Sequence, residues 1–349
     1  MKESITRRGI AAHPPDQPHQ SVLLHEVMDT LAPTPGGVYV DATFGDGGHS
    51  RAILQQIAPE GKLFALDRDG SAWQRNQPLL ERWSGLLTPV HTPFSRLRTV
   101  LNEHGITSIQ GILFDLGVSS PQLDDAKRGF SFQYDGPLDM RMDQTSDDAP
   151  RQLSAATIVN TYDKEDLADI FFHYGEERHA RRIAQAIVHD RQKMPFTTTR
   201  QLASLLERIQ PYQPGQIHPA TRVFQGLRIA VNQELQELQT ALQDALALLA
   251  AGGRAVVISF HSLEDRIVKQ TFRQAADPDQ AHGARLSGPE RLRQPQKTIC
   301  DFRLLTRKPI FPSDPEIARN PRARSARLRA IERLPTGINP YPPHGEATP

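Results

Sequence analysis

The chain has 349 residues, 38% of them hydrophobic, enough to bury one large core and a smaller one. Its 41 lysines and arginines stand against 40 aspartates and glutamates, so no global charge draws it to nucleic acid; any such surface has to come from local clustering of basic residues. The single cysteine, Cys300, excludes an intramolecular disulfide and a thiolate zinc site and fits a reducing cytosol.

The N-terminus, MKESITRRGIAAHPPDQPHQ, lacks a continuous apolar run and is not a secretory signal. The most apolar stretch, ALQDALALLAAGG, is interrupted by Gln243 and Asp244 and falls short of the ~18 apolar residues a span needs. A cytoplasmic protein without membrane attachment is expected. Residues 1–18 and 336–349 read as flexible ends.

Between these ends, GGVYVDATFG predicts a strand running into a glycine turn, and HSRAILQQI a helix. KLFALDRD follows as a second strand, SAWQRNQPLLERW as a helix and LLTPVHTPF as a short third strand. A helix around Arg96–His104 leads to a fourth strand in IQGILFDLGV. Strands alternating with helices predict a parallel sheet with right-handed crossovers. From about Ser119 to Pro219 the pattern becomes helical, in segments such as EERHARRIAQAIVHDRQ and TRQLASLLERI. The alternation then resumes with a long helix from about Thr221 to Ala250, the turn AGGR, the strand AVVISF, the helix LEDRIVKQTF and two extended segments, DFRLLTRKPI and SARLRAIERL. The expected architecture is a Rossmann-like α/β core, residues 19–123 and 220–335, with a helical substrate-recognition domain, 124–219, inserted into it.

Gly45, Gly47 and Gly48 lie between the first strand and its helix, where glycine permits positive φ and close ligand approach. Twenty residues beyond Gly47, Asp67 ends the second strand, the position at which a dinucleotide-type fold offers a carboxylate to ribose hydroxyls. The loop departs from G-x-G-x-x-G, because His49 follows Gly48 and no third glycine comes at the usual spacing. That departure suits a ligand without phosphates, such as S-adenosylmethionine. An NAD-dependent oxidoreductase is the rival on this loop, and a non-catalytic RNA clamp is the rival from another class. His49 is a ligand contact, a helix cap or a packed imidazole. Asp115 and Gln122 fall beside the crevice at the carboxyl end of the fourth strand, and Phe94 covers an adenine face or packs in the core.

The runs HQSVLLHEVMDTL, VDATFGDGGHS, LDRD, ILFDLGVSSPQLDDAKRGFSFQYDGPLDMRMD, YGEERHARRIAQAIV, HPATRVFQGLRIAVNQEL, GGRAVVISFHSLEDRIVK and NPRARSARLR together resemble the bacterial 16S ribosomal RNA cytosine-N4 methyltransferases, the RsmH (MraW) family, from about His19 to Arg333. The resemblance implies a class I S-adenosylmethionine-dependent methyltransferase core with an inserted helical domain. It implies methyl transfer to N4 of a decoding-centre cytidine in the small ribosomal subunit. It places cofactor contacts on Gly47, Gly48, His49, Asp67, Phe94, Asp115 and Gln122. The chain departs from the family at the N-terminal extension and in the basic stretch from about Gln280 to Lys297.

Cytosine N4 is a poor nucleophile, so catalysis has to position it and accept hydrogen bonds from its N–H; positioning alone supplies of order 7–11 kcal/mol in favourable cases. Asp115 is the expected acceptor as well as a cofactor contact. The target base has to leave its stack, and Phe130, Phe132 and Tyr134 either hold it or pack between the two domains. Arg319, Arg322, Arg324, Arg327 and Arg329, with Arg178, Arg181 and Arg182 as a second group, are expected to meet RNA phosphates, the alternative being ion pairs that tie down the chain end. His261, Glu264 and Asp265 at a helix start read as caps and dipole partners, and no metal is assigned.

Overall fold

In the computed structural model, residues 21–145, 153–213, 215–277 and 301–335 are described. The two expected flexible ends, Cys300 and the basic stretch 280–297 lie outside them. One sheet contains β1 (Val38–Asp41), β2 (Lys62–Asp67), β3 (Leu87–His91), β4 (Ile109–Asp115), β5 (Leu249–Ser259), β6 (Phe302–Leu304) and β7 (Arg327–Arg333), in the order β3-β2-β1-β4-β5-β7-β6. The first five strands pair in parallel, and β7 runs antiparallel to both β5 and β6. The chain steps outward from β1 to β3 and then returns to the other side of β1. The crevice beyond the carboxyl ends of β1 and β4 is therefore the switch point where open α/β sheets take ligands.

Helices α1 (Leu24–Leu31), α2 (Gly48–Ile57), α3 (Gly70–Arg75), α4 (Gln77–Arg82), α5 (Leu97–Glu103) and α6 (Ser120–Asp124) accompany the first four strands. Successive strand residues enter opposite cores, as a period of two requires. Val40, Phe64, Phe114 and Val257 pack with Leu101, Leu242 and Phe272, while Tyr39, Leu63, Leu113 and Ile258 pack with Val27, Leu54 and Ile57. No helix of the described residues is long and apolar enough to cross a membrane.

Between β4 and β5 lie α7 (Ala155–Thr161), α8 (Lys164–Asp169), a π-helical turn (Ile170–Tyr174), α9 (Ala180–Arg191), α10 (Thr199–Ile209), α11 (Ala220–Asn232) and α12 (Glu234–Leu248), and α13 (Ser262–Ala276) follows β5. The elements from α7 to α11 bury a core of their own, with Ile158, Phe171, Ile183, Leu206, Phe224 and Leu227 at its centre. The single long helix expected from Thr221 to Ala250 is two helices. Gln233 takes a left-handed conformation (φ 51°), and its N–H caps the Ile229 carbonyl. The break frees Asn232 and Glu234 for side-chain work beside the crevice. Asn232 donates to the Met140 carbonyl at 2.8 Å and accepts the Met142 N–H at 2.9 Å. Arg228 grips both oxygens of Glu234 at 2.8 Å.

The π-helical turn lies tightly on α11. A Cβ built on Gly175 would stand 2.5 Å from the Arg222 carbonyl oxygen, a backbone atom that cannot swing away. Gly175→Ala should therefore push the turn off α11 and destabilise the protein by about 1–3 kcal/mol, the usual range for overpacking. Denaturant midpoints check this; an unchanged midpoint at unchanged slope would mean the two elements are not in close contact.

Candidate active site

Three carboxylates converge where β1, β2 and β4 end. Asp41 is fully buried and accepts the Ser50 hydroxyl at 2.7 Å and the Thr43 N–H at 3.1 Å. Asp67 accepts the backbone N–H of Gly45 at 2.7 Å and of Asp69 at 2.8 Å, one on each oxygen. These bonds tie the glycine loop to the end of β2 and leave each oxygen a further lone pair. Burial, relieved in part by these bonds, pushes both Asp41 and Asp67 up to about 6. Asp115 is pushed up to about 8, by burial first and then by the negative charges of Asp41 and Glu264. Its Oδ1 is buried without a hydrogen-bond partner among the described residues, and Oδ2 lies 3.6 Å from His49 Nδ1.

The loop that carries His49 is shaped by glycine. Gly47 caps α2 at φ 69°, and a Cβ there would collide with Leu79. On Gly48 a Cβ would stand 2.0 Å from the Ser21 hydroxyl. His49, buried at the start of α2, has its Nε2 3.1 Å from the Val22 carbonyl. A carbonyl only accepts, so Nε2 carries the proton and Nδ1 faces Asp115.

A cavity of about 350 Å³ opens over these groups, a size suited to a small ligand. Gly48, His49, Asp67, Phe94, Asp115 and Gln122 all line it, so six of the seven expected cofactor residues surround one cavity. Gly47 stands behind the wall and shapes the turn. Phe94 begins a 3₁₀ turn after β3, packs perpendicular to Phe114 at 5.8 Å and lines the cavity. Gln122 is buried, and its amide is committed at both ends: Oε1 accepts the Ser119 N–H at 2.9 Å and Nε2 donates to Asp69 at 2.9 Å.

Asp69 and Arg128 lie in runs that carry the family resemblance, yet nothing in their spacing predicts that they meet. Asp69 caps α3 through Ser71 and forms a buried ion pair with Arg128 at 2.8 Å. Burial alone would raise Asp69, but Ser71, Arg128 and Gln122 outweigh it and hold the carboxyl below its usual range. Arg128 also donates to the Met142 carbonyl at 2.7 Å. Arg68 donates to the Asn232 carbonyl at 2.7 Å. The segment around Met142, itself part of the cavity wall, is thus pinned from β2 and from α11 together. Arg228 of α11 reaches the same wall, and no spacing in the sequence marks it.

The aromatics expected to hold a base are elsewhere. Phe130 is buried in the helical core, Phe132 stacks on His218 at 4.4 Å, and Tyr134 is exposed; none lines the cavity. Phe130 and Phe132 therefore pack within the helical unit itself rather than between two domains. The C-terminal arginines divide. Arg329 is buried and pairs with Asp265 at 2.6 Å, and Arg327 lies 3.7 Å from the same carboxylate, so these two tie β7 to α13. Arg322 sits in a 3₁₀ turn (Pro321–Ser325) rather than an extended segment. It lines the cavity mouth and pairs with Asp124 at 2.5 Å. Arg319 and Arg324 are exposed.

Glu234, His261 and Glu264 bring ligand atoms within 4.8 Å of one another, and no ion is assigned there. Both Glu234 oxygens are held by Arg228, and Glu264 accepts the Phe260 N–H at 2.8 Å as part of a capping box with His261. Asp265, the third expected cap, faces Arg329 instead.

An open sheet of this order, with a glycine loop after β1, a carboxylate closing β2 and a cavity at the switch point, is the framework of class I S-adenosylmethionine-dependent methyltransferases. The model of the MraW methylase family matches residues 16–334, and the chain belongs to that family. Similar proteins include a "Ribosomal RNA small subunit methyltransferase H" of Magnetococcus marinus, 53% identical over 90% of this chain and 98% of that one. Proteins of the same description from Bradyrhizobium diazoefficiens and Thermomicrobium roseum are 52% and 51% identical, each over 90% of this chain and over 92% and 94% of their own lengths.

The three raised carboxyls set a pH dependence. Aspartate in an unfolded chain titrates near 4. Between about pH 4 and pH 8 the folded protein therefore holds protons that the unfolded chain has released, and its stability falls as pH rises through that window. Asp69 and Glu264, held below the usual range, act only at lower pH. The melting temperature of the unliganded protein should fall between about pH 5 and pH 8, and Asp115→Asn should flatten the upper half of the decline. A melting temperature that rises over this interval would contradict the assignment.

Proposed function

We propose that the protein transfers a methyl group from S-adenosylmethionine to N4 of a decoding-centre cytidine in 16S ribosomal RNA, within the small ribosomal subunit and in the cytoplasm. The observation that carries this reading is the family match over residues 16–334, through every wall of the cavity, together with relatives described as small-subunit ribosomal RNA methyltransferases.

The residues present fit the cofactor. The unpartnered oxygen of Asp115 and the free lone pairs of Asp67 line the cavity, whereas its other acids, Asp46 and Asp69, are paired with Arg75 and Arg128, so Asp67 and Asp115 are the carboxylates left to meet ribose hydroxyls and a positively charged sulfur. S-adenosylmethionine, when bound, supplies an activated methyl group on a positively charged sulfur. In our reading Asp67 accepts the ribose hydroxyls and Phe94 covers the adenine. Gly47 and Gly48 shape the loop that admits the methionine end, and His49 is fixed there by Val22. Gln122 acts through Asp69, holding the end of β2 in place. Asp115, ionised once a positive charge is beside it, accepts the N4 proton. The helical unit, with the inserted boundaries 124–219, and Arg322 at the mouth recognise the RNA.

Three outcomes test these roles. Asp67→Ala should fold normally and bind S-adenosylmethionine about ten- to hundredfold more weakly, since a hydrogen bond to a charged group contributes ~1.5–3 kcal/mol; unchanged affinity by calorimetry would remove Asp67 from the site. Incubation of small subunits lacking the modification with methyl-labelled cofactor should yield N4-methylcytidine on nucleoside mass analysis. Asp115→Asn should lower the rate constant for transfer by roughly 10²–10⁴, the span for a lost general base. Label on another nucleoside, or none, would overturn the assignment.

A further inference from the structure

One surface beside the cavity has no part in holding the cofactor. In the π-helical turn Phe171 is buried, whereas Phe172, His173 and Tyr174 face solvent, Phe172 being 57% exposed and Tyr174 36%. π-Turns are frequent at functional sites. The Phe172 ring meets His173 edge-on at 5.1 Å, and exposed aromatic surface of this kind marks interaction sites. The Tyr174 carbonyl accepts Gln225 Nε2 at 3.0 Å, and Gly175 abuts the Arg222 carbonyl, so the outer side of α11 borders the rings.

The same border is basic. Arg178, Arg181, Arg182 and Arg222 are exposed, and none of them forms a salt bridge among the described residues. Arg181 and Arg182 occupy the first turn of α9, whose cap residue His179 offers no side-chain bond. Cations there oppose the helix dipole, so these arginines do not serve the stability of α9.

Two connections join this surface to the cavity. Glu176, at φ 51°, accepts the hydroxyl of Ser262 and lies 3.5 Å from Arg266, bracing the turn against the start of α13, two residues beyond the cavity residue Phe260. Arg222, Gln225 and Arg228 also form one i, i+3 ridge on α11 that winds from solvent to the cavity wall. At 1.5 Å per residue Arg222 stands about 9 Å from Arg228 along the axis. That is within one or two nucleotides of an extended strand whose target base lies in the cavity.

We propose that Phe172 and Tyr174, with Arg178 and Arg222, bind the single-stranded nucleotides flanking the target cytidine. Bases stack on the rings and phosphates pair with the arginines, the combination by which single strands are held without sequence readout. This rests on the RNA methyltransferase reading above.

The test uses the full chain, unmodified small subunits and a fluorescent single-stranded RNA decamer with one cytidine. Phe172→Ala combined with Tyr174→Ala should raise KM for subunits about tenfold or more, while kcat, melting temperature and cofactor affinity stay within twofold of the parent. Phe172→Trp should retain binding. Arg178→Ala with Arg222→Ala should weaken decamer binding and flatten its dependence on log salt by roughly 0.7 for each phosphate that is no longer neutralised. Parental KM and salt slope in these folded variants would overturn the proposal. Weaker subunit binding with unchanged decamer binding would also overturn it, placing a protein on this face instead. If the parent itself transfers no methyl group to subunits, the functional reading fails, and the decamer titrations still decide whether this surface binds RNA.

Discussion

The site depends on the placement of three carboxylates at the ends of adjacent parallel strands. Asp41 is sealed inside, and Asp67 and Asp115 look into the cavity. An enclosed carboxylate is unfavourable in its charged form unless hydrogen bonds or a cation compensate. Asp41 receives two bonds and Asp67 receives two, yet Asp115 keeps one oxygen bare. At neutral pH the Asp115 carboxyl of the resting protein therefore holds a proton. A ligand that sets a sulfonium beside it favours the ionised form, and a neutral ligand of the same shape does so less.

The rest of the fold holds these acids in register. β1 and β4 lie side by side with Asp41 opposite Leu113, which puts Asp115 beyond the end of β1. Thr43 then accepts the Asp115 N–H at 2.6 Å and joins the two strand ends. On the far side, the Asp69–Arg128 pair and the break between α11 and α12 fasten the segment around Met142 over the cavity. Breaking a buried pair by removing one partner costs about 3–5 kcal/mol. Arg128 is accordingly a structural element of the site although it does not line the cavity. The helical unit reaches the core through Asn232, Arg228 and Glu176, so α11 carries both part of the cavity wall and part of the exposed surface of the helical unit.

Much of this is legible in the residues. The strand–glycine–helix pattern at VYVDATFGDGGHS and the spacing to Asp67 locate the switch point, because positive φ and a strand-end carboxylate are local requirements that leave local marks. Phe94, Asp115 and Gln122 follow from strand order. What stays hidden depends on distance in the chain. Arg128 meets Asp69 across 59 positions, and Asn232 meets Met142 across 90, with no periodicity to announce either pairing. The break at Gln233 is invisible because the apolar pattern continues through it on both sides. The arginines of the C-terminal segment show the limit of charge counting. Arg329 and Arg322 belong to one basic run, yet one is spent on Asp265 inside the protein and the other stands at the cavity mouth.

The central claim, that a resting proton on Asp115 gives way to a cationic ligand, is tested most directly by calorimetry. S-adenosylmethionine would be titrated near pH 7 in two buffers of different ionisation enthalpy. The account predicts net proton release on binding, lost in Asp115→Asn and much reduced when the neutral product S-adenosylhomocysteine replaces the cofactor. Identical binding enthalpies in both buffers, or equal release with the neutral product, would contradict it.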